Sequence, residues 1–359
     1  MPALTEIRLE EYLKLSQAEK RDYLKRDGRI FHVLFAQQFG RDDLESLGRL
    51  ATRIRFMAKS REGMSFLRET LSDKRAMLYF SQPSTRTFLS FCAACQILGM
   101  TTGEVRDTST SSEFKGESRE DSVRTFSSYF DLIVMRSEIG GLAERMAWVL
   151  SNTERPVPII NAGSGKDQHP TQALLDIYTL QRSFENTGGI DGKTIMFVGD
   201  LARGRTVRSL SLLLLNYRDV KQYFIAPPGY QIGSDILEAL ERAGARYELS
   251  SDFHSLIPEA DAIYMTRVQD EWDKSEGRAS GQFDRGRYSF GVEDLKRLKQ
   301  KAVLMHPFPR RTEIDPAVDH DPRAVYWRQM RNGMWIRAAL IATIFGRGKM
   351  IDEHAASNI

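Results

Sequence analysis

The sequence predicts an α/β protein of two doubly wound domains, each a mainly parallel sheet flanked by helices. Three observations carry this. Apolar runs of four or five residues, suited to strands buried on both faces, alternate with segments of helical apolar spacing. The alternation breaks at residues 187–192 (TGGIDG), a turn-rich stretch suited to a hinge, and then restarts. At 359 residues the chain is too long for one compact core and about right for two domains.

Residues 1–35 read as helical and highly charged, with Leu9, Tyr12, Leu13, Leu15, Tyr23 and Leu24 as apolar positions. An added arm and a partner-contact segment both remain open for them. Residues 41–67 space Leu44, Leu47, Leu50, Ile54 and Met57 as one helix face. Residues 76–80 (AMLYF) form a buried strand that Ser81-Gln82-Pro83 breaks. Ser84 then stands as a helix N-cap and Gly99 at the helix end, with Phe88, Leu89, Phe91, Cys92, Cys95 and Leu98 as the buried face. Residues 103–105 are a strand. Residues 107–118 (DTSTSSEFKGES) have too little apolar surface to pack and read as a binding or mobile loop. A helix over 121–130, a strand over 132–135 running into Arg136, a helix over 142–150 and a strand over 157–161 follow. After a Gly-rich loop, Pro170 starts a helix that runs to Arg182. In the second half, strands at 193–198, 222–225, 246–249, 262–265 and 302–305 alternate with helices at 206–216, 236–243 and 292–298. Residues 270–288 form a polar, Gly- and Arg-rich loop, and the last helix covers 334–345.

Bulk properties exclude several classes. A net charge of +3 demands neither nucleic acid nor an anionic membrane as partner. No apolar run of about 18 residues is present, so no membrane span is expected. The first 29 residues have no apolar core of a signal peptide and do not read as a transit peptide. Two cysteines, Cys92 and Cys95, point to a reducing compartment, and the cytoplasm is the expected location. Their C-x-x-C spacing lacks further metal ligands and falls on an apolar helix face, so both read as core residues.

In open α/β sheets ligands bind at the carboxyl ends of strands. Here the first such end carries Ser84-Thr85-Arg86-Thr87, where helix amides, hydroxyls and a guanidinium converge as a phosphate site would require. An ordinary Ser-capped helix with a surface Arg is the alternative at this stretch. Later ends give Arg136, then His169 and Gln172, then Arg205-Thr206, then Arg267 and Gln269, then His306 to Arg310. Arginines recurring with His169 and His306 suggest polyanionic substrates. Gly163-Ser-Gly-Lys166 fails as a nucleotide-binding loop because Asp167 follows the lysine and position 160 is Ile. GDLARG at 199–204 is not a dinucleotide fingerprint, no metal-ligand cluster appears, and no Ser-His-Asp order can be assigned.

S-T-R-T at 84–87, H-P-T-Q-A-L-L-D at 169–176, G-D at 199–200 with G-R-T-V at 204–207, M-T-R-V-Q at 265–269 and H-P-F-P-R at 306–310 together resemble the aspartate carbamoyltransferase family, in its order and spacing. The resemblance runs from about Arg41 to the last helix. It implies residues 36–183 plus 330–359 as a carbamoyl phosphate-binding domain, 184–329 as an aspartate-binding domain, 1–35 as an N-terminal extension, and an active site in the cleft between the domains. It further implies transfer of a carbamoyl group from carbamoyl phosphate to L-aspartate in de novo pyrimidine biosynthesis, with no cofactor and no metal.

Carried over residue by residue, the phosphate lies on Ser84, Thr85, Arg86 and Thr87, with Arg136 closing one side. The carbamoyl group meets His169 and Gln172; Arg86, Thr87 and His169 are the catalytic set. A neutral His169 at a helix start donates to the carbonyl oxygen. Arg205, with Thr206, takes the α-carboxylate of aspartate, Arg267 and Gln269 its side-chain carboxylate, and the Pro307 and Phe308 carbonyls orient its amine. A cis Phe308–Pro309 bond is expected. Ser111 and Lys115 would enter the neighbouring subunit's site, which implies a homotrimer; regulatory or other pathway subunits stay open.

The chain departs from the family at four positions: Gln82 for a Glu, Phe88 for an Arg, Trp272 for an Arg and Arg203 for a Tyr, the last expected near the domain interface. The Glu and Arg are lost together, so closure is expected to use packing by Trp272 rather than an ion pair. A carbamoyltransferase for another acceptor and a non-catalytic assembly or regulatory paralogue are the competing readings.

Overall fold

The computed structural model describes residues 2–106, 116–164, 168–269 and 283–357. The chain divides into two compact units, Met1–Leu175 with Arg331–Ile359, and Asp176–Met330.

In the first unit the chain opens with short pieces: α1 (Leu9–Lys14), α2 (Gln17–Lys20), and a two-residue ladder of β1 (Lys25–Arg26) and β2 (Arg29–Ile30). These residues are not an arm. Leu4, Tyr12 and Leu24 are buried in one core cluster with Met77, Tyr79, Ile133 and Ile159. The single helix expected over 41–67 is two, α3 (Arg41–Met57) and α4 (Arg61–Glu69). The Ser60 hydroxyl accepts from the Gly63 N–H at 2.9 Å and so restarts the helix.

The sheet follows: β3 (Arg75–Phe80), α5 (Thr85–Ile97), β4 (Thr101–Val105), α6 (Arg119–Tyr129), β5 (Leu132–Ser137), α7 (Leu142–Ser151), β6 (Ile159–Ser164) and α8 (Pro170–Phe184). Its four strands are parallel in the order β4-β3-β5-β6. Every residue of β5 and β6 is buried: each opens on an apolar run (Leu132 to Met135, Ile159 and Ile160) and turns polar toward its carboxyl end, at Arg136 and Asn161. On α5, Cys95 is buried and Cys92 half-buried, but Leu89 is exposed rather than part of the packed face.

The second unit contains β7 (Thr194–Val198), α9 (Arg205–Leu214), β8 (Lys221–Ile225), α10 (Ser234–Arg242), β9 (Arg246–Ser250), β10 (Ala262–Met265), α11 (Val292–Leu295) and β11 (Val303–Met305). These five strands are parallel in the order β11-β10-β7-β8-β9, around a core that includes Met196, Val198, Ile225, Ile263, Met265 and Leu304. The chain ends in α12 (Tyr326–Ile344) and α13 (Gly348–Ser357). The last helix expected at 334–345 therefore begins earlier, at Tyr326. Its first turns bury Gln329 and Asn332 as well as Tyr326, and those polar residues hide the stripe. The unexpected α13 buries only Ile351 and Ala355 and is tied by Arg53, which donates to the Asp352 carbonyl at 2.7 Å.

Strand order reverses between β3 and β5 in the first sheet, and between β7 and β10 in the second. Such reversals leave a crevice at the carboxyl ends of the two strands, where ligands bind in open parallel sheets. The S-T-R-T turn and Arg136 stand at the first; residues 199–206 and 266–269 stand at the second. Among the described residues, no helix is long and apolar enough to cross a membrane, and no group of three His, Cys, Asp or Glu side chains could hold a metal ion.

Candidate active site

In the first unit, β3 delivers the chain to the start of α5. Ser84 occupies the N-cap position with extended backbone, but its side chain makes no cap hydrogen bond, contrary to expectation. The first-turn amides of α5 thus keep the unsatisfied, electropositive character that suits an anion. Thr85 and Arg86 are exposed there, whereas Thr87 turns inward and is buried. Its Oγ1 lies 3.5 Å from His169 Nε2, and Thr171 Oγ1 lies 3.5 Å from His169 Nδ1. The buried imidazole therefore has a hydroxyl at each nitrogen, both at the outer limit of hydrogen bonding.

Arg136, at the end of β5, is also buried, and its Nη1 donates to the Ala162 carbonyl at 3.1 Å. Gly163 makes room for it. At a φ of +114°, a Cβ there would lie 2.7 Å from Arg136 Nη1 and 3.3 Å from His169 Cδ2, so the guanidinium and the imidazole both press on this glycine. Asn161 Oδ1 accepts from the Gly163 N–H at 2.9 Å and fixes the turn. Directly before His169, the buried Gln168 accepts from the Ala36 N–H at 2.6 Å and donates to Gln37 Oε1 at 2.8 Å. The Gln172 N–H donates to the His169 carbonyl at 3.0 Å in the first turn of α8. Sequence reasoning misses Gly163, Asn161 and Gln168: Gly163 figures in it only within Gly163-Ser-Gly-Lys166, a failed nucleotide loop.

In the second unit, Arg205 and Thr206 open α9, and the loop before them is tightly built. Gly199 has a φ of +121°, and a Cβ there would fall 2.3 Å from the Thr266 carbonyl, so only glycine lets the β7 and β10 loops touch. Asp200, fully buried, accepts from the Gln269 N–H at 3.1 Å and the Arg203 N–H at 3.3 Å. The Gln269 side chain donates to the Arg203 carbonyl at 3.0 Å, so part of its amide serves the loop rather than a ligand. Arg203 Nη1 donates to the Gln269 carbonyl at 2.6 Å and lies 3.6 Å from Asp200 Oδ2, both within this unit.

Phe308 has a φ of +55° and its bond to Pro309 is cis, as expected. His306 is buried behind that turn and does not present itself to a ligand: its Nδ1 accepts from the Phe308 N–H at 2.8 Å, and its Nε2 lies 2.6 Å from Glu313 Oε1. An Nδ1 that accepts leaves the proton on Nε2, which then donates to the carboxylate. Burial works to raise the pKa of Glu313, but hydrogen bonds from His306 and from backbone N–H groups hold it below the ordinary value. Arg310 pairs with Asp319 through two nitrogens and also meets the Tyr326 hydroxyl, so it braces the turn.

Of the departures, Phe88 is buried edge-to-face against Phe80, ring centroids 5.5 Å apart, and the Arg106 guanidinium stands 4.4 Å above its ring. Gln82 is half-buried, and its Oε1 has no hydrogen-bond partner among the described residues. Ser111, Lys115 and Trp272 lie outside the described residues.

Residues 32–182 match a family model described as aspartate/ornithine carbamoyltransferase, carbamoyl-P binding domain, and residues 191–344 match its Asp/Orn binding domain. The chain is 41% identical over 318 residues to aspartate carbamoyltransferase 1, chloroplastic, of Pisum sativum, covering 87% of this chain and 78% of that protein. It is 38% identical over 319 residues to the multifunctional protein pyr1-3 of Dictyostelium discoideum, covering 88% of this chain and 14% of that protein. Among solved structures, aspartate transcarbamoylase of Trypanosoma cruzi in complex with carbamoyl phosphate and aspartate has a TM-score of 0.79 at 33% identity, over 88% of this chain and 96% of that one. The catalytic subunit of M. Jannaschii aspartate transcarbamoylase has a TM-score of 0.76 at 34% identity, over 88% and 98%.

Proposed function

The chain belongs to the aspartate/ornithine carbamoyltransferase family and transfers the carbamoyl group of carbamoyl phosphate to L-aspartate, giving N-carbamoyl-L-aspartate and phosphate in de novo pyrimidine biosynthesis; we propose that the residues at its two strand-order reversals carry out this transfer. The observation that supports the assignment is the fit of chemistry to topology. One reversal carries hydroxyls and arginines suited to a phosphate, with His169 from the neighbouring strand end against Thr87, and the other carries arginines suited to a dicarboxylate.

The phosphate takes the α5 N-terminus, with Ser84, Thr85, Arg86 and Thr87 around it and Arg136 on its flank. Thr87, Arg86 and His169 face the carbonyl oxygen, and Gln172 the carbamoyl nitrogen. Aspartate is held by Arg205 and Thr206 at its α-carboxylate and by Arg267 and Gln269 at its side chain. The Pro307 and Phe308 carbonyls accept from its neutral amine. That amine attacks the carbamoyl carbon, negative charge gathers on the carbonyl oxygen, and donors already in place stabilise it before the C–O bond to phosphate breaks. Arg86 meets the charge that develops on the departing phosphate. The amine's surplus proton leaves with the phosphate.

We extend this to a homotrimer in which Ser111 and Lys115 complete a neighbouring site, and to a cytoplasmic location suggested by the free cysteines. Sedimentation at three times the chain mass and imaging of the tagged full-length protein check these. Acceptor choice tests the activity: carbamoylation of aspartate must exceed that of ornithine and N-acylated ornithines by at least 100-fold. A preference for another acceptor contradicts the assignment.

A further inference from the structure

We propose that Arg203 is a positioning residue of the aspartate half-site, a clamp between the loop that ends in Arg205 and the loop that carries Arg267 and Gln269. Arg203 is a departure from the family's usual Tyr, and its side chain is 7% exposed. Its Nη1 donates to the Gln269 carbonyl at 2.6 Å and lies 3.6 Å from Asp200 Oδ2. Its backbone carbonyl accepts from the Arg205 N–H at 2.9 Å and from Gln269 Nε2 at 3.0 Å. One residue thus grips Gln269 at both its backbone and its amide, while its carbonyl holds the N–H of the residue that opens α9. Asp200, wholly buried, closes the ring by accepting from the Gln269 N–H. The guanidinium also sits 5.9 Å from the Tyr230 ring centroid, which limits its swing.

The consequence follows from position. Arg267 lies two residues before the clamped Gln269, and Arg205 lies two residues after Arg203, to whose carbonyl its N–H donates. A charge-assisted bond from a planar, always-charged group fixes both loops more firmly than a neutral side chain could. Arg203 therefore sets the spacing of the two arginines that take the two carboxylates, without touching the substrate itself. The proposal rests on the aspartate-site reading.

Two measurements test it. Steady-state kinetics of Arg203→Met should raise KM for aspartate about tenfold, leave KM for carbamoyl phosphate within twofold and lower kcat less than threefold. Arg203→Lys, which restores one donor, should return KM for aspartate to within about threefold of wild type. Hydrogen exchange of the full chain should show the Gln269 amide exchanging at least tenfold faster in Arg203→Met, with the β8 amides unchanged. An unchanged KM for aspartate, or a loss confined to kcat, overturns the proposal. An unchanged Gln269 exchange rate overturns it whatever acceptor the enzyme uses, so its failure is separable from failure of the aspartate reading. If Arg203→Met does not fold, Arg203→Gln, which removes the charge, is measured in the same way: an unchanged KM for aspartate together with an unchanged Gln269 exchange rate overturns the clamp.

Discussion

Thr87 and Thr171 each place a hydroxyl 3.5 Å from one ring nitrogen of the buried His169, which limits how far the imidazole can turn. Its other constraint is Gly163. With φ at +114° and Arg136 Nη1 2.7 Å from where a Cβ would stand, Gly163→Ala must move the guanidinium, the imidazole or the backbone. Strain of this kind costs about 1–3 kcal/mol. We expect Gly163→Ala to raise KM for carbamoyl phosphate at least tenfold while leaving KM for aspartate within twofold. Kinetics with each substrate varied in turn check this, and an unaltered carbamoyl phosphate KM would show that the glycine is not a support of the site. Sequence alone identified His169 and Arg136 from their strand-end positions. It did not identify Gly163, Asn161 or Gln168, because what matters in them is a backbone angle and side-chain bonds to distant backbone, neither of which leaves a pattern along the chain.

Among the elements, α7 does more than cover the sheet. Glu144, Trp148 and Asn152 recur at every fourth position, so they share one face. Lys20 pairs with Glu144 at 2.6 Å, Trp148 Nε1 donates to the Ile7 carbonyl at 2.9 Å, and Asn152 Nδ2 to the Leu4 carbonyl at 3.3 Å. This face is why residues 4–24 join the core, and why composition misled: the anchors lie more than a hundred residues away, and the segment's own apolar residues are spread over short pieces. The buried strands were legible because burial on both faces makes a strand apolar throughout. His32 continues the same binding of chain start to sheet. Its Nε2 lies 2.9 Å from Ser151 Oγ, and its Nδ1 accepts from the Ile159 N–H at 3.1 Å. Burial, aided by the charge of Arg26, lowers its pKa from 6.5 to about 3. The unfolded chain therefore binds a proton below pH 6.5 that the folded chain refuses, and stability falls as pH drops from about 6.5 toward 3. The expected slope from this residue is about 1.4 kcal/mol per pH unit. Urea unfolding at pH 7, 6 and 5, wild type against His32→Gln, checks it. A wild-type slope no steeper than the variant's would mean that His32 is not buried neutral.

For the molecule as a whole, the two sheets follow one plan. Each is parallel, each reverses its strand order once, and each carries its chemistry-bearing loops at that reversal. In the reaction proposed for them, the activated phosphorylated carbonyl falls to one set of residues and the dicarboxylate amine to the other. Gln82 and Phe88 alter the surroundings of the first set while leaving Ser84 to Thr87 intact. Phe88 exchanges a charge for buried aromatic packing against Phe80, and Arg106 brings a guanidinium back over the ring. In the proposed reaction His169 stabilises the charge on the carbamoyl oxygen during attack by aspartate. Measuring carbamoyl-aspartate formation by wild type and His169→Ala tests it most directly. Wild type should be active, and the variant's kcat should be lower by roughly 100- to 1,000-fold with KM for aspartate within about threefold. A His169→Ala enzyme that keeps more than a tenth of wild-type kcat would contradict it.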